Sequence, residues 1–446
     1  MTSTPGTTAV PLPGTNAPAA RYTGPRLRYL VLVLLAFGTF VNYLDRINLT
    51  VGATHIQAEF GISDAAWGIA LSAFGWTYAL MQVPGGLVMD RFGVTWVGRV
   101  CSWAWVVATF LTATVSGFLP LLALRLLLGV AEAPAFPMAS TATSYWFPVR
   151  ERGLATASFD MTSKLSNAIG VPLVAVVVAT WGWRAAFIAT GALSVVYAVA
   201  FWVIYRNPDR HPRLTPVEAQ YIAEGGAQQS ETQVSQPSPM SYLVRQRKLW
   251  AIALTLAAYN YTFFLYLTWL PTYLEREMGL DVKGSGLYSA IPWLVGTVTA
   301  VLIGGVAIDR LIRDGRDPSR VRKTFLAVGL LLGMAVIGAT TATTAAVAVV
   351  WISVSLGGVC IASAVIWSLP GLIAPPGAVG RVSSMMAFVG NLSSIAAPMV
   401  TGFVVQATGS FTWAFVTAGG VVGLGLLSAL VMLGRIEQLP AAGAQA

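Results

Sequence analysis

The chain is a succession of long apolar runs broken by short polar stretches, at a spacing too wide for strands or surface helices. The runs cover 29–52, 67–89, 97–118, 120–143, 154–178 and 184–205. A polar stretch, 206–248, follows, and then 249–273, 285–308, 324–344, 346–372, 382–407 and 411–433. About 20 residues of helix cross a hydrocarbon layer about 30 Å thick, so each run is long enough to span one. In that layer every backbone N–H and C=O must be bonded within the chain, which selects helices. The pattern predicts an all-α polytopic membrane protein with twelve transmembrane helices in two pseudo-symmetric six-helix bundles.

The halves echo each other. "GGLVMDR" at 85–91 closes the second run and "GGVAIDR" at 304–310 closes the eighth; "RERGLATAS" opens the fifth and "VGRVSSMMA" the eleventh. Parallel repeats of six helices are a transporter architecture, with the ligand site between the halves near the midplane. The Gly-Gly-x-x-x-Asp-Arg motifs lie at the membrane edge. Gly86, Asp90, Arg91, Asp309 and Arg310 are therefore read as gate elements. The domain plan is a disordered tail at 1–27, a bundle at 28–205, a central loop at 206–248, a second bundle at 249–435 and a tail at 436–446.

Composition agrees: 56% of residues are hydrophobic and 10% charged, against about a quarter charged in soluble domains. The Pro-, Thr- and Ala-rich start has no charged n-region before an apolar core, so no cleaved leader is expected. Most of the 27 basic residues fall on the side that holds both termini, the central loop and the loop after the eighth run. That bias places both termini in the cytoplasm of a cell (plasma) membrane. The net charge of +9 then reflects topology and attraction to anionic lipid, with no nucleic-acid partner. Cys101, Cys360, His55 and His211 have no metal-ligand spacing, and no nucleophile constellation is present. No metal, cofactor or enzymatic activity is expected, and the protein is read as a monomer.

Charges within the runs carry the functional signal, because intramembrane ionisable groups mark pathways, proton relays or ligand sites. They are Asp45, Arg46, Arg125, Glu132, Asp160 and Lys164, all in the first half; the second half shows no acid or base within its runs. Arg125 and Glu132 are two turns apart on one helix face, about 10 Å. Asp45 and Arg46 point about 100° apart, so each needs a partner elsewhere, and the fourth run offers one of each sign. Asp160 and Lys164 are spaced to pair locally or to line the site. Tyr43, Tyr78, Tyr259, Trp269 and Trp367 sit deep enough to line a cavity. Asn260 and Asn391 are polar positions in spans of the second half.

"GGLVMDRFG" resembles the loop motif of the major facilitator superfamily, except that Val94 and Thr95 stand where basic residues are usual. "NYLDRINLTVGATHIQAEFGIS", "SAFGWTYALMQVPGG", "LRLLLGVAEAPAFP" and "YWFPVRERG" together resemble its anion:cation symporter branch, from about Arg28 to Arg435. That branch includes bacterial galactonate, hexuronate, glucarate and phthalate permeases. The resemblance implies the major facilitator fold and proton-coupled symport of a small organic anion by alternating access. Arg46 would hold the substrate carboxylate, Asp45 and Glu132 would carry protons, and Arg125 would be their basic partner. Lys164 and Ala387 replace amides expected in sugar-acid members. Substrate-binding candidates are thus Arg46, Arg125, Lys164, Tyr43, Tyr78, Trp367 and Asn391. The favoured substrate is a dicarboxylate or an aromatic acid of phthalate type, with a sugar acid as the alternative. A drug efflux pump would favour an acidic cavity, and a transporter-like sensor would carry an added domain.

Overall fold

The computed structural model describes residues 26–227, 240–375 and 378–440; within these, side chains at 82–83, 86–87, 90, 149–150, 153–154, 156–157 and 159–160 are not described. Most of the first tail, the middle of the central loop and residues 441–446 of the second tail lie outside the described residues, as do the surroundings of Gly86 and the side chains of Asp90 and Asp160.

The first half comprises α1 (Leu27–Val51), α2 (Ala53–Phe60), α3 (Asp64–Thr112), α4 (Phe118–Glu132), α5 (Ala135–Trp146), α6 (Val149–Trp181) and α7 (Trp183–Ile204). α8 (Pro216–Glu224) and α9 (Met240–Leu243) follow. The second half comprises α10 (Arg247–Arg276), α11 (Val282–Thr299), α12 (Ile308–Arg313), α13 (Pro318–Gly333), α14 (Ala345–Ile373), α15 (Val379–Thr408) and α16 (Thr412–Met432). α3 contains two expected spans. They part at Gly93, whose φ of 78° and ψ of 159° break the helix where only glycine is comfortable. α4 and α5 form one span interrupted at Pro134. A π-helical stretch, Ala300–Ala307, joins α11 to α12. Eleven helical segments among the described residues are long and apolar enough to cross a membrane. The remaining segment is the first part of α3, which completes the twelve.

Helix starts follow local chemistry. The side chains of Ser63, Asp281, Asp317 and Thr344 accept hydrogen bonds from backbone N–H groups at the starts of α3, α11, α13 and α14, groups that otherwise lack a partner. Close approach depends on small residues. At Gly129 a Cβ would lie 2.2 Å from Thr77 Oγ1, so α4 rests on the backbone of α3. The halves meet along α3 with α15 and α6 with α11.

Two features depart from the sequence reading. The polar stretch 206–248 is more than a loop, because α8 docks on the first bundle and Ile222 is buried in its core. The seventh span also runs past residue 273 to Arg276, which brings Glu275 and Arg276 into the helix. The expectation of a second half without ionisable groups in its spans therefore fails at that helix end.

Candidate functional site

Arg46, near the C-terminal end of α1, is buried and turned toward α4. Its Nε and Nη2 donate to Glu132 Oε2 at 3.2 and 3.1 Å, and Nη2 donates to Asn42 Oδ1 at 2.9 Å. The guanidinium also lies 4.4, 4.8 and 5.2 Å from the ring centroids of Phe74, Tyr43 and Tyr78. Charge on aromatic faces is favourable when both are removed from water. Glu132 is fully buried, and its Oε1 has no hydrogen-bond partner.

Arg125 sits two turns before Glu132. Its side chain is 4% exposed, yet Nε and Nη1 make no hydrogen bond. The expected exchange of partners between α1 and α4 is thus half present. Arg46 pairs with Glu132, but Arg125 does not bond Asp45. Asp45 faces the other way, among α3 and α7, where Ser194 Oγ approaches Oδ2 at 3.4 Å and Thr109 and Thr190 stand beside it. Adjacent positions on one helix point in different directions, and α7 offers hydroxyls where α4 offers charge.

Arg46 and Arg125 line a pocket between the halves, with Phe74 and Tyr78 from α3 and Phe264, Thr268, Asn391 and Ser394 from α10 and α15. Its charge comes wholly from the first half. The hydroxyls of Thr268 and Ser394 bond to Phe264 O and Asn391 O in their own helices. The Tyr43 ring contacts the Arg46 guanidinium but is not on this wall. Lys164 is buried in α6 and is not on this wall; Trp367 is 51% exposed and also lies off it. Trp269 is fully buried and donates to Pro398 O, and Tyr259 packs in the core; neither is on the wall. Arg91, Asp309 and Arg310 are exposed at the edge, away from the pocket.

The side opposite the termini is closed by bonds between the halves. Arg276 bonds to Asp64 and, at 2.9 Å, to Gln57. Thr54 donates to Glu275 at 2.6 Å, and Ala65 N–H donates to Gln406 Oε1 at 2.9 Å. Below them α3 and α15 cross closely: a Cβ on Gly68 would lie 2.7 Å from Pro398 O. The first half has a further polar cluster on the terminus-bearing side. Glu218 of α8 is fully buried, accepts from the backbone N–H groups of Leu27 and Arg28 at 3.0 and 3.3 Å, and pairs with Arg28 Nη1 at 3.0 Å. Arg28 Nε also bonds Glu151 at 3.1 Å.

Sequence reasoning missed Glu218, the Asp64–Arg276 closure and the hydroxyls around Asp45. Only the first carried a usable signal: Thr215-Pro-Val-Glu218 has the form of a capping box.

Two bundles of this kind, closed at one face around a buried charged pocket, define a membrane transporter, and sequence comparison gives the lineage. A profile of the Major Facilitator Superfamily matches residues 35–398, and the chain belongs to that family. It is 39% identical over 414 residues to the uncharacterized transporter YybO of Bacillus subtilis, covering 92% of this chain and 95% of that one. It is 35% identical to a probable sulfoacetate transporter of Cupriavidus necator, covering 91% and 94%. It is 32% identical to a D-galactonate transporter of Escherichia coli, covering 93% and 97%. These relatives agree with the branch indicated by the motifs. Among solved structures, an inward-facing bacterial homologue of the lysosomal transporter Spinster superposes with a TM-score of 0.69 at 19% identity, covering 92% of this chain and 95% of that one. A D-xylose–proton symporter superposes with a TM-score of 0.68 at 13% identity, covering 92% and 98%. Both support the fold. The protein is a multi-pass membrane transporter and no enzyme.

Proposed function

We propose that the protein takes up a small organic anion across the plasma membrane together with protons, with both termini in the cytoplasm. The observation that carries this reading is Arg125: a buried guanidinium on a pocket wall with two N–H groups lacking acceptors. Buried charged N–H groups without acceptors are costly, and an anionic group in the pocket supplies the missing acceptors in the bidentate geometry guanidinium favours. Arg46 is held by Glu132 in this state. Protonation of Glu132 would release it to the same anion, which links proton binding to substrate binding.

The walls contributed by Leu71, Phe74, Phe264 and Leu267 suit a compact or aromatic acid. A second reading, a sugar acid, is favoured by the relatives named for galactonate and for galactarate and glucarate. The position of Lys164 off the pocket wall removes one reason to prefer a dianion. Uptake into proteoliposomes under an imposed pH gradient tests both readings, with phthalate, tartrate, sulfoacetate, galactonate and glucarate as substrates. If no acid in the panel moves and none raises the thermal stability of the purified protein, the organic-anion reading is wrong.

A further inference from the structure

Asp45 is the buried acid that the pocket does not use. The groups around it are Thr109 of α3 and Thr190 and Ser194 of α7. The hydrogens of two of these hydroxyls are committed elsewhere. Thr190 Oγ1 donates to Ala186 O at 3.0 Å, and Ser194 Oγ donates to Thr190 O at 2.9 Å. Thr190 also accepts from Asn48 Nδ2. Thr109 differs: its Oγ1 is buried and makes no hydrogen bond, whereas Thr39, Thr112, Thr190 and Ser194 each bond a carbonyl one turn back. Asp45 Oδ1 is buried and unpartnered in the same way. Thr109 and Asp45 thus stand beside each other in the bundle, and each leaves a buried polar atom uncommitted.

We propose that Thr109 is a positioning residue for the Asp45 proton, so that coupling runs through α3 and α7 behind the substrate pocket. This rests on the proton-coupled reading above. A hydroxyl turns freely. With Asp45 ionised, Thr109 donates its hydrogen to Oδ1; with Asp45 protonated, the carboxyl O–H donates to Thr109 Oγ1. The proton comes from one side of the membrane and leaves to the other, and Thr109 keeps its own. Thr190 and Ser194 already bond backbone carbonyls, and Ser194 reaches the other carboxylate oxygen, Oδ2, only at 3.4 Å. Among the described residues, the charged groups here are Arg46 beside Asp45 on α1, Glu132 and Arg125 of α4, which act on Asp45 at longer range, and Lys164 of α6; α3 and α7 present hydroxyls.

The test compares Thr109→Val, Thr109→Ser and Thr109→Ala in proteoliposomes. It measures uptake driven by a pH gradient across a series of pH values, and substrate exchange at equal pH, which needs no net proton movement. Removing a donor from the ionised carboxylate strengthens proton retention. Val and Ala are therefore expected to move the half-maximal pH of driven uptake upward by about one unit, tenfold in proton affinity. Driven uptake should fall several-fold, exchange should stay within about twofold of wild type, and Ser should restore the profile. A Val variant with a wild-type profile overturns the proposal, as does equal loss of driven uptake and exchange in Val, Ala and Ser. A wild type whose uptake ignores the gradient sinks the coupling reading and this role with it. A wild type that follows the gradient beside an unaltered Val variant sinks this role alone.

Discussion

Replacing Arg125 with methionine is expected to raise stability and abolish transport, opposite signs from one change. In the ligand-free protein the guanidinium is 4% exposed, with Nε and Nη1 unpartnered, while Glu132 keeps both of its bonds from Arg46. Methionine fills a similar volume and removes a buried guanidinium that makes no ion pair among the described residues in this state, only a ring contact with Phe74 at 5.4 Å. Replacing a whole buried ion pair by apolar residues of similar volume runs from neutral to about 1–4 kcal/mol stabilising, and exchange of an arginine that makes no ion pair is expected in the same direction. For the bound anion the balance reverses. Two charge-assisted hydrogen bonds at about 1.5–3 kcal/mol each are lost, or roughly 3–6 kcal/mol. At about 1.4 kcal/mol per factor of ten, affinity falls by roughly two to four orders of magnitude. The assays are thermal unfolding of purified protein with and without substrate, and equilibrium binding. Wild type should show substrate-dependent stabilisation. Arg125→Met should start from an equal or higher midpoint and gain nothing from substrate. Arg125→Lys retains charge but loses the planar fork, and should fall between them. A methionine variant several degrees less stable that still bound substrate would refute the argument, because Arg125 would then be a structural group with a partner inside the fold.

Four further outcomes are expected. Glu132→Gln should free Arg46, tighten anion binding at neutral pH and remove the response of uptake to the gradient, as read by binding and driven uptake side by side. Arg276→Ala should loosen the closure opposite the termini, measured as faster labelling of a cysteine placed at Thr268. Glu218→Ala should lower the thermal midpoint more than Glu218→Gln, and the double change with Arg28→Ala should be less than additive, since the two share one buried pair. Glu59 accepts hydrogen bonds from Arg184 and Trp183, and these hold its carboxyl below the ordinary value of 4.5. Its stabilising effect is therefore present above pH 4.5 and lost as pH falls through the lowered value. Glu59→Gln should accordingly differ slightly from wild type near pH 7 and converge with it in acid, the pair being exposed.

The span pattern and the doubled Gly-Gly-x-x-x-Asp-Arg motif were enough to lay out both bundles, because the membrane permits few alternatives. The pairing of Arg46 with Glu132 was legible for a similar reason: an isolated charge in a span must find its opposite. The orientation of Asp45 was not legible. Threonine and serine in a membrane helix read as packing, and only the fold shows that Thr109, Thr190 and Ser194 meet at one carboxylate. The closure through Asp64 and Arg276 joins residues from different halves, and nothing local marks either. Glu275 was missed because span ends cannot be placed to within a turn from hydropathy. Trp367 and Lys164 were singled out by residue type and depth, which do not fix which way a side chain points, and neither lines the pocket formed with Arg46 and Arg125.

Glu218 lies 190 positions after the backbone N–H group of Arg28 that it caps. During synthesis α1 is made first and must wait for nearly half of the chain before its starting turn is satisfied. The first bundle is therefore not finished when its sixth span leaves the ribosome; it is finished when α8 folds back. Dividing the gene at residue 205 would strand α1 with exposed N–H groups and an Arg28 missing one of its two carboxylates. A division that leaves residues 206–227 attached to the first half keeps the complete unit, and co-expressed halves cut there should assemble where halves cut at 205 do not.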